Sequence, residues 1–205
     1  MCEDCFKKIA FNTTLFCGQC RARLPENEKI CHKNFPYLLG AATNFNDPIR
    51  NLIHQLKYRH WKSAEQPIAK IINIYLKNLK LTNQQIKNFI VVPIPLHKNR
   101  EQDRGFNQAA LIGKNIADNL DLPFRKNLLL RIKETKIQAE LKDWEQRKTN
   151  LENAFQISEP TTLLGKNILL VDDVYTSGAT INEAVRILKE NGVKKIIAMV
   201  VAKAR

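Results

Sequence analysis

The stretch ILLVDDVYTSGAT, residues 168–180, joins an apolar strand pattern to two carboxylates and a turn rich in hydroxyl groups and glycine. Four aliphatic residues precede the adjacent acids Asp172 and Asp173, and the residues from Thr176 onward have the composition of a turn that opens a helix. A parallel sheet places such a junction at the carboxyl edge of its strands, where α/β proteins bind ligands. The stretch therefore predicts an α/β fold with a ligand site at this junction.

The chemistry of this stretch suits a phosphorylated sugar. Backbone N–H groups and hydroxyls at a helix N-terminus bind phosphate, and Gly178 would let the backbone approach the anion closely. The two carboxylates could accept hydrogen bonds from ribose hydroxyls or hold the water molecules of a Mg²⁺ ion. The predicted site consists of nine consecutive residues: Asp172, Asp173, Val174, Tyr175, Thr176, Ser177, Gly178, Ala179 and Thr180.

Two other interpretations of the same residues exist. Thr180 and Glu183 have the spacing of a capping box, which many ordinary helices contain. An apolar run that ends in acids also occurs in nucleotide hydrolases, but these need a G-x-x-x-x-G-K-[ST] loop, and the sequence contains none. The thirteen residues together are more specific than their parts, and they favour the ligand site.

The rest of the sequence alternates between strand and helix patterns. Apolar runs rich in β-branched residues at 89–95 and 196–202 predict two more buried parallel strands. Weaker strand patterns lie at 37–46 and 127–132. Helical spacing of apolar residues predicts helices at 48–58, 68–79, 106–120 and 181–192. This alternation predicts a mostly parallel sheet with helices on both faces.

A second strand-to-helix junction is strongly basic. The stretch VVPIPLHKNREQDRGFNQ, residues 91–108, carries Lys98, Arg100 and Arg104 in a predicted loop. Because strand ends in one parallel sheet share an edge, we expect this loop to face Asp172. Its charges would then neutralise an anionic ligand. The alternative is a solvent-exposed loop with ordinary basic residues.

The N-terminal segment contains paired cysteines. Four of the five cysteines form a C-x2-C-x11-C-x2-C pattern: Cys2, Cys5, Cys17 and Cys20. Two such pairs complete a tetrahedral thiolate site that favours Zn²⁺, so we predict a structural zinc module at residues 1–36. Unliganded thiols and redox CxxC sites are the alternatives. Cys31 and His32 are not predicted to bind metal, although His32 could replace a cysteine.

Charge is unevenly distributed along a chain whose net charge is +13. Residues 48–100 contain ten Lys or Arg and one acid, Glu65, which gives this segment a charge of +9. Such a segment points to an anionic partner. Basic and aromatic residues near its start suit single-stranded nucleic acid: Lys57, Tyr58, Arg59 and Trp61. The alternatives are aromatic packing against the main domain, a solvated basic face and, for Lys57, a place in the predicted anion site.

Hydrophobic residues make up 44% of the chain, enough to bury a core. No apolar run approaches the ~18 residues of a membrane span, and MCEDCFKKIAF at the N-terminus lacks a secretory pattern. We therefore expect no membrane span and a cytoplasmic location.

Together these motifs resemble the competence protein F (ComF, also GntX) family over nearly the whole chain. The resemblance rests on the CxxC pairs, LIHQLKY (52–58), RGFNQ (104–108), the 168–180 stretch and a spaced set of residues: Arg131, Gln138, Leu141, Arg147, Asn150 and Phe155. It implies a type I phosphoribosyltransferase-like α/β fold with a small N-terminal zinc module built on four cysteines. Many relatives carry further CxxC pairs before the helical segment, where this chain has Cys31 and His32.

The resemblance also implies a ligand and a role. Residues Asp172–Thr180 would bind phosphoribosyl pyrophosphate (PRPP) with Mg²⁺, and Lys98, Arg100 and Arg104 would hold its pyrophosphate. Arg131, Gln138 and Arg147 would belong to a flexible loop at 131–150 that closes over substrate. The family implies handling of incoming single-stranded DNA in natural transformation, alongside competence machinery proteins, or use of DNA as a nutrient.

Two functional hypotheses follow. The chain is either an enzyme that transfers the phosphoribosyl group of PRPP to an acceptor, or a non-catalytic module that senses a nucleotide or PRPP and binds single-stranded DNA. Turnover of PRPP would distinguish them. The predicted organisation is a zinc module at 1–36 and a phosphoribosyltransferase-like domain at 37–205, with a basic helical segment at 37–88 and the core of the PRPP site at 89–205.

Overall fold

A computed structural model of the chain describes residues 2–24, 32, 36–58, 64–79, 86–135, 150–160 and 163–204. The helices in these ranges are α1 Glu3–Lys7, α2 Asp47–Tyr58, α3 Glu65–Leu79, α4 Lys98–Arg104, α5 Gln108–Leu120 and α6 Ala179–Glu190. The strands are β1 Leu15–Cys17, β2 Arg23–Leu24, β3 Leu38–Asn44, β4 Phe89–Pro93, β5 Leu129–Arg131, β6 Phe155–Ile157, β7 Asn167–Tyr175 and β8 Lys195–Lys203.

Six of the strands form one sheet in the order β2-β1-β3-β8-β7-β4. The four strands from β3 to β4 are parallel to one another, and β1 and β2 add an antiparallel edge. β5 and β6 form a separate antiparallel pair. The predicted mostly parallel α/β sheet is confirmed, and its central strands β7 and β8 are the apolar runs seen in the sequence.

The sheet is covered on both faces, because successive side chains of β7 point in opposite directions. Leu169 and Val171 lie in one apolar cluster with α2, α3 and most of α5, whereas Ile168 and Leu170 lie in the other with α6 and the β5–β6 pair. All four side chains are almost fully buried. Truncating one of them to alanine is expected to cost about 2–5 kcal/mol of stability.

The strands of the cysteine-rich segment, β1 and β2, pair into the main sheet beside β3. Phe16 of β1 pairs with Leu39 of β3, and the Asn12 backbone donates to the Ala42 carbonyl at 2.9 Å. The Tyr75 hydroxyl of α3 also donates to the Thr14 carbonyl at 3.1 Å. The physical reason is that β3 would otherwise leave an open sheet edge, and three buried residues suffice to cover it.

The basic junction after β4 is different from its prediction, since Lys98–Arg104 forms helix α4 instead of a loop. The helix ends at Gly105, whose φ of 80° lies in the left-handed region. The Gly105 backbone donates to the Glu101 carbonyl at 2.8 Å, which closes the last turn. The three predicted basic side chains are therefore carried on a short helix.

Candidate ligand site

Asp172 and Asp173 lie near the carboxyl end of β7, where only 9% and 3% of each residue is exposed. Burial, followed by the charge of Asp173, raises the pKa of Asp172 to about 7, and the charge of Lys57 partly opposes this shift. The Asp173 backbone donates to Asp172 Oδ1 at 2.8 Å. The junction thus holds two adjacent buried carboxylates, one of which is readily protonated.

Lys57 contacts this acid pair, although the sequence assigned it to a nucleic-acid surface. Its Nζ lies 2.6 Å from Asp173 Oδ2, and a quarter of its side chain is exposed. Burial lowers the pKa of Lys57, but the carboxylates of Asp173 and Asp172 outweigh burial and raise it. Helical spacing explains the position, because Lys57 follows the buried Ile53 by one turn and shares its inward face.

Two arginines from different elements meet beside the acid pair. Arg100 of α4 donates to the Thr135 carbonyl, and Arg131 of β5 donates to the Thr135 hydroxyl. Burial and the charge of Arg100 lower the pKa of Arg131 to about 10, while Asp172 opposes the shift. Within the described residues, Arg131 Nε is buried without a hydrogen-bond partner. This corner can accept an anion.

The other two basic residues of α4, Arg104 and Lys98, have different surroundings. Arg104 donates to Gln108 Oε1 at 2.6 Å, and its positive charge acts on Lys57. Lys98 lines a cavity of about 930 Å³ together with His97 and Arg131. The structure therefore brings Arg100, Arg104 and Arg131 towards the acid pair and places Lys98 at a neighbouring cavity.

The turn at residues 176–180, which we call the β7–α6 turn, presents the N-terminus of a twelve-residue helix. The N-cap residue is Gly178, which has no side chain to occupy the first N–H groups and adopts a φ of 84°. The Ala179 N–H has only a long contact of 3.4 Å with Ser177 Oγ. Such a helix end, with its N–H groups and positive dipole, is suited to an anion.

The capping box proposed as an alternative for Thr180 and Glu183 is not formed. The helix begins at Ala179, so Thr180 already lies inside its first turn. Glu183 instead accepts from the Asn153 backbone at 2.8 Å and pairs with Arg186 at 2.7 Å. The helix end is consequently left open towards the turn.

Three side chains of the N-terminal segment form a group that could bind a metal ion. Cys17, Cys20 and His32 bring their ligand atoms within 4.8 Å of one another, and Cys17 Sγ lies 3.6 Å from His32 Nδ1. Zn–S and Zn–N bonds of about 2.3 and 2.0 Å at a tetrahedral angle give an S···N separation of about 3.5 Å. The Cys17–His32 separation therefore suits zinc, and Cys17, Cys20 and His32 form a group that could hold such an ion.

Cys2 and Cys5 are not part of this group. Cys2 is the N-cap of α1 and Cys5 lies within that helix. Hydrogen bonds from the Cys5 backbone and thiol lower the pKa of Cys2. Cys2 lines a cavity with Gln66 and Lys70 of α3, whereas the Cys17–Cys20 turn lies beside α6. Because α3 and α6 cover opposite faces of the sheet, the two CxxC pairs face different layers. The zinc site predicted on all four cysteines stays a prediction.

Several predicted residues lie outside the described part of the chain: Cys31, Arg59, Trp61, Gln138, Leu141 and Arg147. Tyr58 is the last residue of α2. Two residues near the β7–α6 turn were missed by sequence reasoning, namely Arg21 and Tyr37. Arg21 donates to the Ser177 carbonyl at 3.2 Å across 156 residues of sequence, and no local pattern could have indicated this contact.

Comparison with known proteins agrees with the fold. The family model for a phosphoribosyl transferase domain matches residues 107–205, which include α5, β7, the β7–α6 turn and β8. No helix in the described ranges has the length and apolar character needed to cross a membrane.

Three curated relatives extend the match to the N-terminal part. Competence protein F of Haemophilus influenzae is 29% identical over 210 aligned residues, which cover 100% of this chain and 90% of that protein. DNA utilization protein YhgH of Salmonella typhimurium is 28% identical over 94% of the chain and 79% of its own length. Competence protein ComFC of Bacillus subtilis is 35% identical over 74% of the chain and 58% of its own length. The chain thus belongs to the competence protein F family, and its parallel sheet is a phosphoribosyltransferase-like domain.

Proposed function

We propose that the chain binds PRPP together with Mg²⁺ at the acid pair of β7 and the β7–α6 turn, and that it acts in the uptake or use of DNA. The observation that carries the proposal is the junction itself. Two buried carboxylates, Asp172 and Asp173, stand three residues before a turn that opens the N-terminus of α6 with glycine as its N-cap.

Each part of PRPP has a chemically suited group. The 5-phosphate would bind the N–H groups and hydroxyls of residues 176–180, and the carboxylates would accept hydrogen bonds from the ribose hydroxyls. The pyrophosphate would lie towards Arg100, Arg104 and Arg131, where the buried Arg131 Nε lacks a partner among the described residues. Lys98 at the neighbouring cavity, and Gln138 and Arg147 of the proposed closing loop, remain predictions for the same end of the ligand.

Asp172 and Asp173 also fit Mg²⁺, since hard cations take oxygen ligands and are often shared between one or two carboxylates and substrate phosphates. The ion would neutralise charge on the pyrophosphate. If an acceptor attacks the anomeric carbon of PRPP, the bond to pyrophosphate breaks and its electron pair leaves with the pyrophosphate oxygen. Arg100 and Arg131 would stabilise that negative charge, so that catalysis would come from holding and neutralising the leaving group.

The wider role is proposed from the relatives and from charge. The relatives are named for competence and DNA utilization, and residues 48–100 carry the +9 charge that suits nucleic acid. We propose single-stranded DNA as the second ligand, competence proteins as partners and the cytoplasm as the location. Arg59 and Trp61 are the proposed DNA contacts, because Lys57 is engaged with Asp173.

We propose zinc as the metal of the N-terminal segment. Cys17, Cys20 and His32 supply three ligand atoms of the kind that zinc prefers. Cys2 and Cys5, predicted as ligands from their spacing, lie apart from this group. The role of the ion would be structural, because it would tie the turn after β1 to the segment that contains His32.

A thermal-shift experiment tests the PRPP proposal. PRPP with Mg²⁺ at about one hundred times its Kd should stabilise the native chain by about 2.7 kcal/mol, which corresponds to about 5–10 °C in Tm. The substitutions Asp172→Asn and Asp173→Asn, made together, should abolish the shift because the amides cannot hold the cation. The control is Asp118→Asn on the exposed face of α5. An undiminished shift in the double variant would rule out the acid pair as the site.

A further inference from the structure

The residue after the Cys17–Cys20 turn is held in an unusual conformation by the turn itself. Arg21 has a φ of 63°, in the left-handed region that non-glycine residues seldom adopt. Its backbone N–H donates to the Cys17 carbonyl at 2.9 Å, and the Cys17 N–H donates to the Ala22 carbonyl at 2.9 Å. Cys17, whose thiol belongs to the candidate metal-binding group, therefore also fixes the backbone that directs the Arg21 side chain.

This side chain reaches the β7–α6 turn. Arg21 Nη2 donates to the Ser177 carbonyl at 3.2 Å, and its guanidinium carbon lies 5.3 Å from the centroid of the Tyr175 ring. Ser177 lies in the turn, and Tyr175 is the last residue of β7. Arg21 thus contacts both the strand end and the turn, and places a positive charge beside the open helix end.

A second set of contacts joins the same two turns. The Gly18 N–H donates to the Tyr37 carbonyl at 3.1 Å, and the Tyr37 hydroxyl lies 3.2 Å from the Tyr175 hydroxyl and 2.7 Å from Asn182 Oδ1 of α6. A Cβ at Gly178 would come within 2.3 Å of the Tyr175 hydroxyl, so the β7–α6 turn rests directly on that ring. The pair Tyr37 and Tyr175 therefore supports the β7–α6 turn on the side that faces the Cys17–Cys20 turn.

We propose that Arg21 is a positioning residue for the β7–α6 turn, and that metal binding at Cys17, Cys20 and His32 sets the shape of this turn through Arg21 and the tyrosine pair. The contact would hold the Ser177 carbonyl away from the anion, so that the neighbouring N–H groups face it. As a statement about ligand affinity, the inference rests on the proposed PRPP site. Because coupling between two sites is reciprocal, PRPP should tighten metal binding by the factor by which metal tightens PRPP binding.

Amide hydrogen exchange on the full, metal-loaded chain tests the positioning role without any ligand. Arg21→Ala should accelerate exchange of the amides at 177–179 several-fold and leave those of β8 unchanged. Arg23→Ala in β2, which removes the same charge from the same segment, should leave both unchanged. Removing the metal with a chelator should reproduce the pattern of Arg21→Ala. Exchange at 177–179 that is equal in Arg21→Ala and wild type would overturn the proposal.

Affinity for PRPP with Mg²⁺ forms the second arm, measured by calorimetry on the same proteins. Loss of one charge-assisted hydrogen bond should weaken binding about tenfold in Arg21→Ala, and Arg23→Ala should bind like wild type. Wild-type affinity in Arg21→Ala would overturn the proposed effect on the ligand while leaving the PRPP site intact. A wild-type chain that binds no PRPP would instead refute the proposed function, and hydrogen exchange would then decide the positioning role alone.

Discussion

At the scale of single residues, Lys57 balances the charge of two buried acids. Its ammonium group lies 2.6 Å from Asp173, and Asp172 and Asp173 are both buried. Two adjacent carboxylates repel each other in a site that is shielded from water, which is one cause of the raised pKa of Asp172. Lys57 is therefore part of the site's electrostatics.

Replacing Lys57 by methionine should expose this balance as a pH-dependent loss of stability. Without the ammonium, the free energy of unfolding should fall by about 3 kcal/mol near pH 8, as for other broken buried ion pairs. The folded pKa of Asp172 would rise further above its unfolded value, so protonation stabilises the variant at low pH and that stability is lost as the pH rises. Urea denaturation at pH 5 and pH 8 should show the larger deficit at pH 8.

Two comparisons make this result specific. Lys77→Met, at the exposed end of α3, should change stability little at either pH. Lys57→Met should also keep wild-type affinity for a labelled single strand, whereas Arg59→Ala with Trp61→Ala should weaken it and flatten the salt slope by about 0.7. If Lys57→Met is as stable as wild type at pH 8 but binds DNA poorly, then Lys57 contacts nucleic acid and does not balance the acid pair.

At the scale of elements, short segments carry much of the candidate site. The Cys17–Cys20 turn begins at the end of the three-residue strand β1, and two of the arginines near the acid pair lie on the seven-residue helix α4. The long runs of β7 and β8 were predictable, because buried parallel strands read as continuous apolar sequence. Neither β1 nor α4 is long enough to show a period, so sequence reasoning predicted neither element.

The position of His32 leads to a prediction about metal. The wild-type chain should contain one zinc per molecule by elemental analysis, and His32→Ala and Cys17→Ser should each lower this content, since each removes a ligand of the observed group. Cys5→Ser should retain zinc because Cys5 lies apart from the group. Circular dichroism of the far-UV region checks that each variant is folded.

The opposite result for zinc content would support the four cysteine ligands predicted from spacing. Loss of zinc in Cys5→Ser, with full retention in His32→Ala, would mean that the two CxxC pairs bind one ion together. Both outcomes are separable in a single set of purified variants, since each variant differs from wild type by one ligand atom.

At the scale of the whole molecule, the sheet collects the candidate site from five distant segments. Lys57 comes from α2, Arg100 from α4 and Arg131 from β5, and the turn before α6 receives Arg21 from the N-terminal segment. The residues of 168–180 were predictable because the acids, the glycine and the turn are contiguous. The ion pair of Lys57 with Asp173 and the contact of Arg21 with Ser177 were not, because these partners lie 116 and 156 residues apart and no local pattern indicates either contact.

The location of bound PRPP tests the central claim most directly. In a crystal structure of the full chain with PRPP and Mg²⁺, the 5-phosphate should lie within hydrogen-bonding distance of the N–H groups at 177–179, and the ribose hydroxyls or the Mg²⁺ ion should contact Asp172 and Asp173. The pyrophosphate should lie on the side of Arg100 and Arg131. PRPP bound elsewhere, with residues 172–180 in contact only with solvent, would contradict the account.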